Sequence, residues 1–190
     1  MIRVMLLRLV PAGLLALAAH AQTKPLPDDI LARVSPIIDA VYRLDYGRSE
    51  VLCQQLIKDA PENPVGYVYL LRVYWSEQLS QARLLSAERL VSMDLFSQKP
   101  RFRPMVTPQT LARLNGAAKN ALGKSAAWAK QHPNDSSARF LLGSTYQFTA
   151  AYELTAAHSL TASAASANRA FKIHRELART GMAEIGRAHV

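Results

Sequence analysis

Large apolar residues recur at helical spacing along most of the chain. Tyr67, Leu70, Leu71 and Tyr74 stand at i, i+3, i+4 and i+7, and residues at this spacing share one face of an α-helix. Ala and Leu are abundant, glycine is sparse and β-branched runs are short, which favours helices over sheet. The pattern predicts an all-α domain.

Four further helices follow from caps, prolines and apolar stripes. A first helix is predicted over residues 28–46, because Asp28 and Asp29 supply carboxylates to its first turn. Thr107-Pro108 is typical of an N-cap followed by proline at the first helical position, and predicts a helix that ends near Gln131. Another helix is predicted after Tyr152, ending near Thr180. Between the first helix and Pro61, one helix carries Ser49, Leu52, Cys53, Leu56 and Ile57 on one face.

Two segments of the chain match at a spacing of 72 residues. Pro61-Glu62-Asn63-Pro64 precedes the stripe from Tyr67 to Tyr74, and Pro133-Asn134-Asp135-Ser136 precedes Arg139, Leu142, Gly143 and Tyr146 at the same offsets. Each segment predicts a helix stop at proline, a polar turn and a new helix. Between them the periodicity continues from Tyr67 to Leu95, which predicts a lengthened and irregular unit.

Leu142-Gly143-x-x-Tyr146 resembles the first-helix signature of the tetratricopeptide repeat (TPR) family, whose units are about 34 residues long. Gly143 is expected to lie where a neighbouring helix approaches closely. The resemblance covers about residues 27–181, and we expect a TPR-like helical-repeat domain over residues 27–183. It implies an α-α superhelix of TPR-like units, in which helix pairs stack because no pair buries its apolar stripe alone.

Both ends of the chain carry distinct signals. Arg3 and Arg8, the apolar residues 9–19 and the small residues around His20 predict a secretory signal peptide over residues 1–21, cleaved after Ala21. The mature protein is then expected in the periplasm or outside the cell, without stable membrane insertion. Residues 185–190 match the translation of a common sequencing-library adapter, so we interpret them as an artefact and expect the gene to continue beyond about Ala183.

No catalytic or cofactor-binding arrangement is predicted. Cys53 is the only cysteine and falls on an apolar helix face, which favours a core role. His158 and His174 have no further ligand at metal-binding spacing. The net charge of +9 is spread along the chain, and we do not expect nucleic acid as a partner. A non-catalytic protein without cofactors is expected.

The function implied by the resemblance is a protein-protein interaction scaffold. Tyr69 and Arg72, with Arg139 and Gln147 at comparable places in the later copy, form a hypothetical partner-binding face for an acidic or C-terminal peptide. An ordinary solvated face is the competing interpretation. The alternative functions are the N-terminal docking part of a larger exported enzyme or envelope-assembly factor, and a small-ligand site inside the curve.

Overall fold

A computed structural model of the protein describes residues 28–82 and 106–188, with side chains described for 32–82 and 106–180. The predicted signal peptide and the segment between Ala82 and Val106 lie outside the described residues. Within these ranges the chain is all-α and contains no strand. Its helices are α1 (Asp28–Tyr42), α2 (Tyr46–Asp59), α3 (Val65–Gln81), α4 (Pro108–Gln131), α5 (Ser136–Thr155) and α6 (Leu160–Ala188).

Polar side chains define where several of these helices begin. The Asp45 carboxylate accepts a hydrogen bond from the Arg48 N–H at 3.0 Å at the start of α2. The Thr107 hydroxyl accepts one from the Thr110 N–H at 3.1 Å, as the Thr107-Pro108 pair predicts. Each bond satisfies an N–H group that has no partner inside the first helical turn.

The α2–α3 turn and the α4–α5 turn have the same hydrogen-bond pattern, 72 residues apart. In each turn a backbone bond closes the preceding helix, a second closes the turn, and an Asn or Asp side chain accepts from the N–H two residues later. The donor–acceptor pairs are Ala60–Leu56 (3.1 Å), Asn63–Ala60 (3.0 Å) and Val65–Asn63 (3.0 Å), and then His132–Trp128 (2.9 Å), Asp135–His132 (3.1 Å) and Ser137–Asp135 (2.8 Å).

The helices pack in chain order. Each helix packs against the next one along the chain. This includes α3 and α4, although the segment that connects them is not described. In addition, α3 packs against α1 on one side and α5 on the other. The odd-numbered helices therefore form a row, and α3 lies at its centre.

One apolar core runs through these contacts. Val68, Leu71 and Val73 of α3 are at most 1% exposed and belong to the same buried cluster as Leu114 of α4. Cys53 of α2 is fully buried in this cluster, so the prediction of a core cysteine is confirmed. Removing these side chains from water is the main favourable term in folding such a domain.

The α3–α4 pair and the α5–α6 pair place equivalent residues against the helix that follows. A tyrosine lies under an arginine guanidinium in both pairs, and the residue seven positions earlier also contacts a charged side chain of the second helix. The contacts are Arg113 over Tyr74 (3.6 Å to the ring centre) and Lys124 over Tyr67 (5.7 Å), and then Arg169 over Tyr146 (5.5 Å) and Glu176 with Arg139 (2.6 Å).

Gly143 confirms the expected close helix approach. A Cβ atom at this position would lie 2.8 Å from Nε2 of His174 and 3.2 Å from Cγ2 of Ile173, both in α6. The equivalent residue in α3 is Leu71, which is fully buried. In α3 the close approach occurs instead at Gly66, where a Cβ atom would lie 2.7 Å from Cγ1 of Ile57 in α2.

Three predicted helix boundaries are wrong. The first helix ends at Tyr42 rather than near residue 46, and Leu44 follows it with a left-handed φ of 60°. The last helix begins at Leu160, after a break in which His158 has a φ of 52°, and it ends at Ala188 rather than near Thr180. Pro36 lies inside α1. Neither Leu44 nor His158 is the glycine that usually adopts a left-handed conformation, so the residue type did not predict this conformation at either position.

Candidate functional site

Helices α3 and α5 meet through two aromatic side chains. The indole ring of Trp75 lies 6.2 Å from the ring of Phe148, measured between centroids. The indole N–H also donates a hydrogen bond to Oγ1 of Thr155 at 3.1 Å. Because the indole is held on both its apolar and its polar side, its position between the two helices is well defined.

Arg72 lies between two aromatic rings beside this contact. Its guanidinium carbon is 5.8 Å from the ring centre of Tyr69 and 5.9 Å from that of Phe148. Both distances are within the range of cation–π attraction. We call the four residues Tyr69, Arg72, Trp75 and Phe148 the α3–α5 patch; all four are half-buried.

The charge of Arg72 is not neutralised by a carboxylate among the described residues. The ion pairs formed within residues 32–82 and 106–180 involve Arg33, Arg43, Arg113, Lys124 and Arg139, and not Arg72. Burial raises the pKa of the Tyr69 phenol, and the neighbouring Arg72 partly opposes this. The patch therefore offers a positive guanidinium and a neutral hydroxyl, both suited to a carboxylate oxygen.

The structure brings together two of the four residues proposed from sequence. Tyr69 and Arg72 are adjacent in the patch, whereas Arg139 forms an ion pair with Glu176 of α6 at 2.6 Å. Arg139 and Phe148 are nine residues apart on α5 and so lie on opposite sides of that helix. Gln147 is half-buried and stands 72 residues after Trp75, at the equivalent position of α5.

Phe148 completes the patch, and sequence reasoning did not single it out. Its counterpart 72 residues earlier is Ser76, so the repeat gives no aromatic signal at this position. The contact with Arg72 depends on the rotation of α5 against α3, which only the folded structure supplies.

A second charged cluster joins α2, α3 and α4. The guanidinium of Arg113 pairs with Glu77 at 2.9 Å and with Glu50, and it covers the ring of Tyr74. The Tyr74 hydroxyl donates to Glu50 at 2.5 Å, and burial, followed by this bond, raises the pKa of the phenol. Because two carboxylates already pair with Arg113, this cluster links three helices and leaves no unpaired cation for an acidic ligand.

Cys53 and His174 are both buried, and burial shifts the pKa of each side chain. Burial, with a smaller contribution from Glu50, raises the pKa of the Cys53 thiol to about 12, which keeps it protonated near neutral pH. Burial also lowers the pKa of His174, although the nearby Gly143 backbone partly opposes this. Among the residues whose placement is described, no group of three or more His, Cys, Asp or Glu side chains is suited to a metal ion.

None of the described helices combines the length and the apolar character needed to cross a membrane. Comparison with protein-family models, with curated proteins and with solved structures finds no match to this chain.

Proposed function

We propose that this protein is a non-catalytic, exported scaffold of the TPR type that binds a protein or peptide partner. Three features support a superhelix of repeated helix pairs: the row formed by α1, α3 and α5, the shared turn pattern at a 72-residue spacing, and the equivalent contacts of Tyr74 and Tyr146. Stacked pairs of this kind provide extended surfaces for partner binding.

The observation that carries the binding proposal is the α3–α5 patch. A guanidinium without a carboxylate partner, placed between aromatic rings and beside an indole, favours a ligand with both a carboxylate and an apolar group. An extended acidic or C-terminal peptide segment meets this requirement. In the proposed superhelix, first helices line the concave side, so α3 and α5 present the patch to a peptide lying along that side.

A peptide array tests the binding proposal. We expect the protein to bind peptides with acidic side chains or a free C-terminal carboxylate, and to bind amidated, neutral versions more weakly. Tyr69→Phe combined with Arg72→Gln is expected to reduce this binding at least about tenfold, because charge-assisted hydrogen bonds are lost.

Arg139→Gln is the matched control, because it removes one arginine whose charge is already paired with Glu176. Equal loss of binding in the Arg139 variant and the Tyr69/Arg72 variant would contradict a site at the patch. A circular dichroism melting curve for each variant separates loss of binding from loss of folding.

Export rests on the sequence of residues 1–21 and has its own test. Expression of the full chain in a bacterium with a general secretion pathway is expected to yield a mature protein that begins at Gln22. Mass spectrometry of the cell-envelope fraction checks this. A protein that remains in the cytoplasm and retains Met1 would contradict export.

A further inference from the structure

The outer side of α6 is a charged surface that the described helices leave uncovered. Helix α6 packs chiefly against α5, through the buried residues Ser163, Ser166, Ala170, His174 and Leu177. Opposite these lie exposed residues that share one side of the helix. We call them the α6 outer face: Ala164, Asn168, Phe171, Lys172, Arg175 and Arg179.

Three cations dominate this face. Lys172, Arg175 and Arg179 stand at i, i+3 and i+7, and so follow one side of the helix over about 10 Å. None of them forms an ion pair with a described residue. The one carboxylate among the described side chains of α6, Glu176, is already paired with Arg139 at 2.6 Å.

The face also carries an apolar contact and two small residues. Phe171 is 44% exposed, and the guanidinium carbon of Arg175 lies 5.4 Å from its ring centre. One turn and two turns earlier, Asn168 and Ala164 are short side chains that allow another backbone to approach. An aromatic ring flanked by cations and next to small side chains suits the contact surface of a second helix.

We propose that the α6 outer face binds an acidic amphipathic helix of a partner protein. Carboxylates that recur every three or four residues on such a helix match the spacing of Lys172, Arg175 and Arg179. An apolar residue between the carboxylates covers Phe171. This surface is separate from the α3–α5 patch, so each is testable without the other.

A protein helix fits this surface better than a lipid membrane or nucleic acid. Apart from Phe171 the six residues offer little apolar area for insertion into a bilayer, and lasting membrane attachment needs two signals. Three cations neutralise few phosphates and give weak nucleic-acid binding. A helix adds packing against Ala164 and Asn168 to the charge attraction, and this term is absent for the other two ligands.

Fluorescence anisotropy with a labelled synthetic helix tests the proposal. The probe is an acidic peptide of about 20 residues, long enough to form helix, in which Glu recurs every three or four residues between Ala and Leu. We expect saturable binding by the full chain. Lys172→Glu, Arg175→Glu and Arg179→Glu together are expected to weaken binding at least about tenfold.

The control variant carries Arg48→Glu, Lys119→Glu and Lys130→Glu, which change three exposed cations elsewhere and alter the net charge equally. Its affinity is expected to stay within about twofold of the original. Phe171→Ala is expected to weaken binding without any change in charge. All titrations are repeated in a Tyr69→Phe, Arg72→Gln background, in which the patch no longer binds acidic peptides. The binding that remains there is expected to be lost with the Lys172/Arg175/Arg179 changes, which distinguishes the α6 outer face from the patch.

Three results would overturn the proposal. The first is equal weakening in both charge-reversal variants, which indicates unspecific attraction to a basic protein. The second is undiminished binding by the Lys172/Arg175/Arg179 variant. The third is tighter binding, at the same salt concentration, of anionic phospholipid vesicles or duplex DNA in the same assay, with that binding lost in the α6 variant.

Discussion

The α3–α4 and α5–α6 pairs share a contact scheme but fill its centre in opposite ways. Both place a tyrosine under an arginine of the second helix, at Tyr74 and at Tyr146. Between the shared contacts, α3 contributes the fully buried Leu71, whereas α5 has Gly143 with His174 of α6 against it.

The difference shows that the same contact scheme accommodates a large side chain from either helix of the pair. In the α3–α4 pair the large side chain is on α3, and α4 contributes the buried alanines Ala117, Ala118 and Ala121 to the core. In the α5–α6 pair α5 has a glycine, and α6 contributes the imidazole of His174. Because protein interiors are close-packed, large side chains on both helices would overfill the contact, and small side chains on both would leave a cavity.

Loss of bulk at Leu71 is expected to have the largest effect. Leu71→Ala removes most of a fully buried side chain and leaves a cavity in a close-packed core. We expect the free energy of unfolding to fall by about 2–5 kcal/mol. Urea denaturation measures this, and Leu44→Ala, at a side chain that is 58% exposed, is the control with little expected loss from packing. If Leu71→Ala lowers the free energy of unfolding no more than Leu44→Ala does, Leu71 does not hold the α3–α4 pair together.

Added bulk at Gly143 is expected to have the next largest effect. Gly143→Ala places a Cβ atom 2.8 Å from the His174 ring, which overpacks the α5–α6 contact, and we expect a loss of about 1–3 kcal/mol. In a His174→Ala background we expect this loss to shrink, because the contact with the ring is gone and only the contact with Cγ2 of Ile173 at 3.2 Å remains. Gly116→Ala, with open space around it, is the control. The same loss with and without His174 would refute the proposed contact.

The two equivalent turns are expected to respond equally to loss of their side-chain acceptors. Asn63→Ala and Asp135→Ala each leave an N–H near the start of a helix without its partner. We expect each change to lower the free energy of unfolding by about 1 kcal/mol. Thermal melting of the two variants side by side measures this. A loss in one variant and none in the other would show that the turns are not equivalent.

The smallest expected effect is a pH dependence located in the α5–α6 pair. Burial lowers the pKa of His174 in the folded protein, so the unfolded chain binds a proton more readily. The free energy of unfolding is therefore expected to fall as the pH drops below about 6.5, the ordinary pKa of histidine. It is expected to stop falling once the pH is below the lowered pKa of His174 in the folded protein.

Both ring nitrogens of His174 are buried without a hydrogen-bond partner, and Phe140 packs edge-on against the ring. His174→Gln is expected to reduce the pH dependence of the free energy of unfolding between pH 7 and 5. Identical pH profiles for the original protein and the His174 variant would contradict this assignment.

Helix starts and the turns were predictable from sequence because each has a local chemical cause. Thr107-Pro108 fixes the start of α4, and the two proline turns repeat with their Asn or Asp side chains. Gly143 predicted a close helix approach, and its partner His174 did not follow from sequence, because the register of α6 against α5 depends on packing. The left-handed residues Leu44 and His158 were also missed, since side chains other than glycine rarely adopt that conformation.

The candidate site was predictable only in part. Tyr69 and Arg72 are three residues apart on α3, so helical spacing alone places them together. Arg139 was grouped with them from its position in the repeat, yet that position corresponds to Tyr67 and faces the following helix. Contacts within a helix follow from spacing, whereas contacts between α3 and α5 depend on how the pairs stack.

The most direct test of the scaffold proposal is a fluorescence titration of Trp75 with the best-binding acidic peptide from the array. The protein has two tryptophans, and Trp128 lies on α4 against His132, outside the patch. We predict a saturable change in emission that persists in Trp128→Phe, disappears in Trp75→Phe, and needs at least about tenfold more peptide in Arg72→Gln. A change that comes from Trp128, or an Arg72→Gln curve identical to the original, would contradict peptide binding at the α3–α5 patch.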